Sequence, residues 1–318
     1  MRATVVVPTW NGVLRIARLL ESLDRDVETI VVDNGSRDGT ADLVRERFPH
    51  VQLLELPENV GYARAVNAGA REAQGNALVF VNNDCVLDEG FATELVAPLD
   101  PAAGVVMVAG VLREARDPTR IDTAGMELDE TLLALDYLNG EPVTVLDGGV
   151  PDPIGPCAAA AAFDREAFLG AGGFDEAFFA YWEDVDLVLR LRLLGGRCVL
   201  APRAQGVHEH SATLKSGSAR KNMLTGWGRG YVLRRWSVLG GSRIPKVLLR
   251  DGAICLGQAG LDRNVAGLRG RLAGYRAAAT VERRPYPGSA LAPRDERGAG
   301  GTLATRGRRR RRLRRTPS

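Results

Sequence analysis

Apolar residues fall into two alternating rhythms along the first eighty positions. Residues 4–7, 27–32, 51–56 and 77–81 are short runs rich in valine, isoleucine and leucine. Runs of this kind are expected of strands covered on both faces. Between them the apolar positions fall at helical spacing: Ile16, Leu19, Leu20 and Leu23; then Leu43, Val44 and Phe48; then Tyr62, Val66, Gly69 and Ala73. Pro8 is expected to end the first strand, with a turn at Asn11-Gly12. Strand and helix alternating through short connections predict a doubly wound, mostly parallel α/β sheet flanked by helices.

The rhythm changes after about residue 98. Residues 104–112 read as a strand and 126–146 as short strands separated by polar turns. The small-residue run 154–163 is expected to be a strand whose backbone lies close to a neighbour, and 164–169 a short helix. Residues 184–194 place Leu187, Leu191 and Leu194 on one helical face, stopped by Gly195-Gly196. Residues 198–201 read as a strand, with 202–210 leading away from it. From 216 to 283 the chain is amphipathic and helical, mixing Lys221, Arg229, Arg234 and Arg235 with Trp227, Tyr231 and Trp236. These shifts divide the chain into an α/β unit (1–215), a helical extension (216–283) and a tail (284–318) whose Pro, Gly and Arg content predicts disorder.

Composition changes this picture in two places. The formal charge of +3 comes from the tail, where eight arginines lie between 306 and 315, so the body is mildly acidic. Such a run can bind nucleic acid or an anionic membrane surface in a salt-dependent way. It has no interleaved aromatics, and a solvated tail is preferred over nucleic-acid binding. Cys85, Cys157, Cys198 and Cys255 stand far apart, which predicts a reducing compartment and no structural zinc. No uncharged run approaches the roughly 20 apolar residues of a spanning helix, so the expectation is a cytoplasmic protein that at most touches a membrane surface.

In open α/β sheets ligands bind beyond the carboxyl ends of the strands. The residues there are Thr9, Trp10 and Asn11; Asp33, Asn34 and Gly35; and Asn82, Asn83 and Asp84. Any one polar set is explained by turn chemistry; three at one edge favour a binding site. Neither GxGxxG nor GxxxxGK[ST] is present, so a nucleotide here would be held by carboxylates, amides and a metal. Asp84 offers a hard oxygen for Mg²⁺ or Mn²⁺, and an imidazole from VHEHS can also ligate manganese. In YWEDVD three carboxylates fall within four residues at a helix start. The helix dipole favours acids there, but three like charges beside Tyr181 and Trp182 can also raise one pKa and make a general base.

VVVPTWNG, VVDNGSRDGT, ENVGYARAVNAG, VFVNND, GGFDEAFFAYWEDVDLVLRLRLLGG and VHEHSAT, in this order, resemble glycosyltransferase family 2, and within it a bacterial rhamnosyltransferase-like branch. The resemblance implies the GT-A fold, a Rossmann-like sheet for nucleotide-diphosphate sugars. It puts Pro8, Thr9 and Asn11 at the nucleotide, Asp33 at the base, Asn59, Gly61, Arg64 and Asn67 on the donor side, and Asn82, Asn83 and Asp84 at the ribose-diphosphate and metal. It makes Asp184 the catalytic base, sets Trp182 and Glu183 on the acceptor side, and gives the metal a histidine, with His208 favoured over His210. Where a DxD motif is usual this chain has NND, with one carboxylate. The implied reaction is inverting transfer from a dTDP- or UDP-linked sugar to a glycan or lipid-linked acceptor, assisted by Mg²⁺ or Mn²⁺; Arg220, Lys221 and Arg229 are cations that could also meet the diphosphate. A nucleotidyltransferase on a similar sheet is the alternative enzyme, although TWNG lacks its glycine-rich signature. A non-catalytic nucleic-acid or membrane binder acting through the arginine tail is the alternative outside enzymes.

Overall fold

The computed structural model describes residues 1–209 and 217–291. The first half follows the alternation: β1 (Ala3–Thr9), α1 (Val13–Ser22), β2 (Glu28–Asp33), α2 (Thr40–Arg47), β3 (Gln52–Glu55), α3 (Tyr62–Glu72) and β4 (Ala77–Val81). β1 pairs in parallel with β2 and β4, and β2 with β3. Pro8 does not end the first strand; it lies in register with Val32, and β1 runs on to Thr9.

The second half departs from a parallel sheet. It contains β5 (Cys85–Leu87), α4 (Phe91–Val96), β6 (Val105–Glu114), β7 (Ile121–Thr123), the small hairpin β8 (Met126–Leu128) and β9 (Ala134–Asp136), β10 (Ala160–Asp164), α5 (Arg165–Gly170), α6 (Glu183–Leu193) and β11 (Arg197–His208). Among the described residues the main sheet runs β3-β2-β1-β4-β10-β6-β11-β5, with β7 beside β6. β10 is antiparallel to both its neighbours, and β5 to β11. The result is a mixed sheet: β3, β2, β1 and β4 run parallel to one another, and β6 and β11 run parallel to each other beyond the antiparallel β10. Two expectations on this side are corrected. Only the end of the small-residue run is a strand, because residues 154–159 peel away, where a Cβ on Gly155 would meet Val188 at 2.3 Å. Residues 202–208 do not lead away from the sheet. β11 continues through a bulge to His208, paired with β6 and β5.

α7 (Ala219–Arg235), α8 (Arg243–Leu261) and α9 (Ala266–Ala277) follow. Tyr231, Val232 and Trp236 join the same core as Phe80, Phe163 and Phe174. α7 and α9 meet through glycines: a Cβ on Gly274 would fall 1.9 Å from the Trp227 carbonyl oxygen, and one on Gly270 2.2 Å from that of Met223. Gly274→Ala is therefore expected to cost about 2 kcal/mol or more by forcing backbones apart. At Gly257 on α8 a Cβ meets nothing within 4 Å, and Gly257→Ala should stabilise by about 0.5–1 kcal/mol through helix propensity alone. Thermal melts of the two variants moving in the same direction would disprove this account of the helix pair.

Candidate active site

A cavity of about 400 Å³ opens beyond the carboxyl ends of β1 and β4. Its lining includes Pro8, Thr9, Asn82, Asn83 and Asp84 from the sheet edge, Trp182, Glu183 and Asp184 from the start of α6, and His208 from the end of β11. Thr9 and Asn83 are joined by a 2.7 Å hydrogen bond from Asn83 Nδ2 to Thr9 Oγ1.

Sheet pairing explains how residues distant in sequence meet. The antiparallel register sets His208 opposite Cys85, and the Glu209 amide donates to the Asp84 carbonyl. His208 Nε2 thereby comes 3.3 Å from Asp84 Oδ1, while its Nδ1 lies 2.7 Å from Asp122 Oδ2. Burial opposes charge on this imidazole, but the Asp122 and Asp84 carboxylates outweigh it and push its pKa up to about 9. Asp122, from β7, has no sequence motif to announce it. Asp84, Cys85 and His208 offer ligand atoms within 4.8 Å of one another. Burial, reinforced by the Asp84 charge, pushes the Cys85 thiol well up, so it stays protonated and is a poor ligand. One carboxylate oxygen and one imidazole suit Mn²⁺ or Mg²⁺ better than a thiolate-seeking metal. His210 lies outside the described residues.

The other group of acids divides by burial and partners. Asp186 is fully buried, accepts hydrogen bonds from Arg190 Nε (2.8 Å) and Trp236 Nε1 (2.9 Å), is ion-paired with Arg235 (3.0 Å), and ties α6 to α7. Glu183 and Asp184 face the cavity instead. Asp184 accepts from the Val185 amide at 2.8 Å and more weakly from Ala158 at 3.5 Å. Burial raises its pKa to about 6 against those two bonds, with help from Asp136. Burial and the charge of Asp184 raise Glu183 to about 8, and Glu183 Oε2 is buried with no hydrogen-bond partner. The backbone just before is strained: Tyr181 and Trp182 both have positive φ (71° and 76°). Non-glycine residues pay of order 1–3 kcal/mol each for such angles, which cluster at functional sites.

Four predicted residues, Asn11, Asp33, Arg64 and Asn67, lie off the cavity lining. Asn11 accepts from the Arg37 amide and Asp33 from the Ser36 amide, so both shape the neighbouring loop. Arg64 projects from the solvent side of α3 towards Glu176, 3.7 Å away. Asn67, on the same helix, clamps both backbone groups of Phe174. Asn59 and Gly61 do reach the lining. Gly61 is held by Asn34, and its φ of 92° and a Cβ position 2.5 Å from the Phe179 oxygen leave room for no side chain. Sequence reasoning missed Tyr62, Asp136 and Cys157 on the lining. Arg220 and Lys221, named beforehand only as cations within reach of a diphosphate, also line it. The Arg220 guanidinium sits 5.9 Å from the Trp10 ring and 5.8 Å from Phe179. Arg229, grouped with them from the sequence, is instead buried against Asp251 and the Thr131 carbonyl.

Residues 4–165 match the sequence profile of Glycosyl transferase family 2, half of the chain. The chain is a family 2 glycosyltransferase. This displaces the nucleotidyltransferase alternative. The glycosyltransferase is 29% identical over 237 residues to the N-acetylglucosaminyl-diphospho-decaprenol L-rhamnosyltransferase of Mycobacterium tuberculosis, covering 64% of this chain and 75% of that protein. It is 30% identical over 222 residues to the pre-mycofactocin glycosyltransferase of the same organism, covering 69% of this chain and 45% of the relative. Among solved structures it resembles GalNAc-T7 with UDP, GalNAc and Mn²⁺ (TM-score 0.58, 16% identity, 74% of this chain and about half, 48%, of that one). It also resembles the mannosyltransferase PcManGT of Pyrobaculum calidifontis in complex with GDP-Man and Mn²⁺ (TM-score 0.52, 24% identity, 91% and 78%). The fold is GT-A.

Proposed function

We propose that this glycosyltransferase moves a sugar, with a deoxyhexose such as rhamnose the first candidate, from a dTDP- or UDP-linked donor to a hydroxyl of a polysaccharide or lipid-linked glycan, with inversion. The observation that carries this reading is that the Asp84–His208 pair and the Glu183–Asp184 pair line one cavity. The rhamnosyl transfer and diphospho-decaprenol acceptor in the name of the mycobacterial relative support the choice of sugar and acceptor. The nucleotides and Mn²⁺ in the two similar structures support the donor class and the metal.

In this reading Pro8, Thr9 and Asn82 receive the nucleotide end of the donor, while Arg220 and Lys221 face its diphosphate. Asp84 and His208 would hold Mg²⁺ or Mn²⁺, which when bound supplies positive charge to the departing diphosphate. Asp184 takes the proton of the acceptor hydroxyl. The acceptor oxygen forms the new bond to the anomeric carbon as the bond from that carbon to the diphosphate oxygen breaks, and the diphosphate leaves with the electron pair. Glu183, neutral at physiological pH, can donate a hydrogen bond to the acceptor, and Trp182 gives the sugar an apolar floor. Holding both substrates in line supplies much of the acceleration.

Asp122 orients His208 from behind, as carboxylates commonly orient metal-bound histidines. Asp122→Asn is expected to weaken Mn²⁺ binding about 10–100-fold, with Asp122→Glu recovering part of it; calorimetry with Mn²⁺ alone reads this without turnover. The function itself is tested by thermal stabilisation with a panel of nucleotide sugars, with and without Mn²⁺, followed by NMR of the product's anomeric configuration. A ligand held only by the folded chain raises its melting point. No stabilisation by any nucleotide sugar, or a product of retained configuration, would overturn the reading.

A further inference from the structure

Among the described residues α8 is the least covered α-helix. Only Val247 and Asp251 on it are buried, while Leu248, Leu249 and Leu256 are 65%, 75% and 75% exposed. At 3.6 residues per turn, Ile244, Leu248, Leu249, Ala253, Leu256 and Ala259 fall within an arc of about 180° that carries no charged residue. This stripe runs the length of a 19-residue helix, roughly 28 Å at 1.5 Å per residue. The chain goes on to expose Leu261, Val265, Leu268 and Leu272. Isolated exposed leucines are ordinary; a continuous apolar face of this size marks a surface that is covered in use.

The charges around it choose the occupant. Both carboxylates on these elements are committed: Asp251 is paired with Arg229 and Arg271, and Asp262 accepts from Asn222. Lys246 and Arg250 are neutralised by Glu130 and Asp129 of the β8–β9 hairpin. Arg263, Arg269 and Arg276 are exposed and make no ion pair with a described residue. A second copy of this chain would set like charges against like. An apolar face rimmed by net positive charge instead matches a bilayer with anionic headgroups. We propose that the exposed face of α8, extended by the apolar positions of α9, seats the enzyme on an anionic membrane surface. This does not depend on the donor or acceptor assigned above. The seat is joined to the reaction cavity, because Asp251 of α8 holds Arg229, whose guanidinium lies 5.5 Å from the Trp182 ring.

The test is co-sedimentation of the full chain with phosphatidylcholine vesicles, with and without phosphatidylglycerol, at low and high salt. The comparison variant is Leu248→Ser/Leu249→Ser/Leu256→Ser, which leaves every charge in place, including the arginine tail. Wild type should bind the anionic vesicles and keep a salt-resistant fraction, and the triple variant should lose at least about tenfold in partitioning with an unchanged melting point. Arg269→Glu/Arg276→Glu should lower binding mainly at low salt. Equal binding by wild type and the triple variant would assign all attachment to the tail and overturn the proposal. So would a wild type that ignores vesicles but sediments as a dimer that the triple variant dissociates.

Discussion

Asp184→Asn is expected to lower transfer about a thousandfold while nucleotide-sugar affinity changes by less than about twofold, within the range general bases contribute. The amide is the same size and can still accept from the Val185 amide, the shorter of the two bonds Asp184 receives. What it loses is the ability to take a proton. The same assignment fixes the pH profile. Burial, helped by Asp136, raises Asp184 to about 6, so the basic form is present above that value and turnover should fall about tenfold per pH unit below it. Glu183, raised to about 8, is already neutral when the enzyme works, so Glu183→Gln should leave the acid limb in place. Stability follows the opposite sense from the usual paired carboxylate. These folded-state pKa values lie above the ordinary ones, so the pair's contribution is greatest in acid and is lost as pH rises through about 6 and then about 8. Asp184→Asn should accordingly melt no lower than wild type at about pH 8. Near-normal turnover, or donor binding lost in step with turnover, would remove Asp184 from the role.

The β1–β4 half was legible because its signals are local. β1, β2 and β4 are valine-rich runs covered on both faces, and each ends in or is followed by polar residues at the cavity edge. The second half was harder because partners across a sheet leave no local trace. β11 contains Pro202, Arg203 and Gln205, which read as a strand's exit, yet a bulge lets them pass and the ladder resumes to His208. That late pairing is what delivers the imidazole to Asp84. Asp122 was missed for the same reason: one acid in a three-residue strand acquires meaning only through its partner 86 positions away. YWEDVD shows the reverse limit. Its composition announced chemistry, but nothing in the spacing separated Asp186, locked by Arg190 and Arg235, from the two acids that face the cavity. Arg64 and Arg220 make the complementary pair. The first sits in ENVGYARAVNAG, one of the stretches that carry the family resemblance, but turns to Glu176, and the second, at the start of a helix with no such motif, is brought to the cavity near Trp10 and Phe179.

Asp84→Ala is expected to weaken Mn²⁺-supported donor binding about a hundredfold or more, and to leave metal-free donor binding unchanged. The reason is the thinness of the site. Among the described residues one carboxylate and one imidazole, 3.3 Å apart, are placed to hold a hard cation, so removing the one charged ligand should take away most of the attraction. The remaining places fall to the donor's own oxygens and water, which ties metal and donor affinities together: each should strengthen the other by the same factor in wild type. That reciprocity should vanish in Asp84→Ala. His208→Ala should lose less, because imidazole is a neutral ligand, and the double variant should cost less than the sum of the singles, since both act through one ion. Cys85→Ser separates this account from a thiolate site. Its sulfur is buried, protonated and 3.9 Å from the Ala159 carbonyl oxygen, so the substitution should leave Mn²⁺ affinity within about twofold; a site that used the sulfur would lose a ligand and shift its preference away from soft metals such as zinc. Calorimetry of donor binding with and without Mn²⁺ across the four variants reads all of these at once. Metal-supported binding that survives Asp84→Ala but fails in Cys85→Ser would move the ion off the carboxylate.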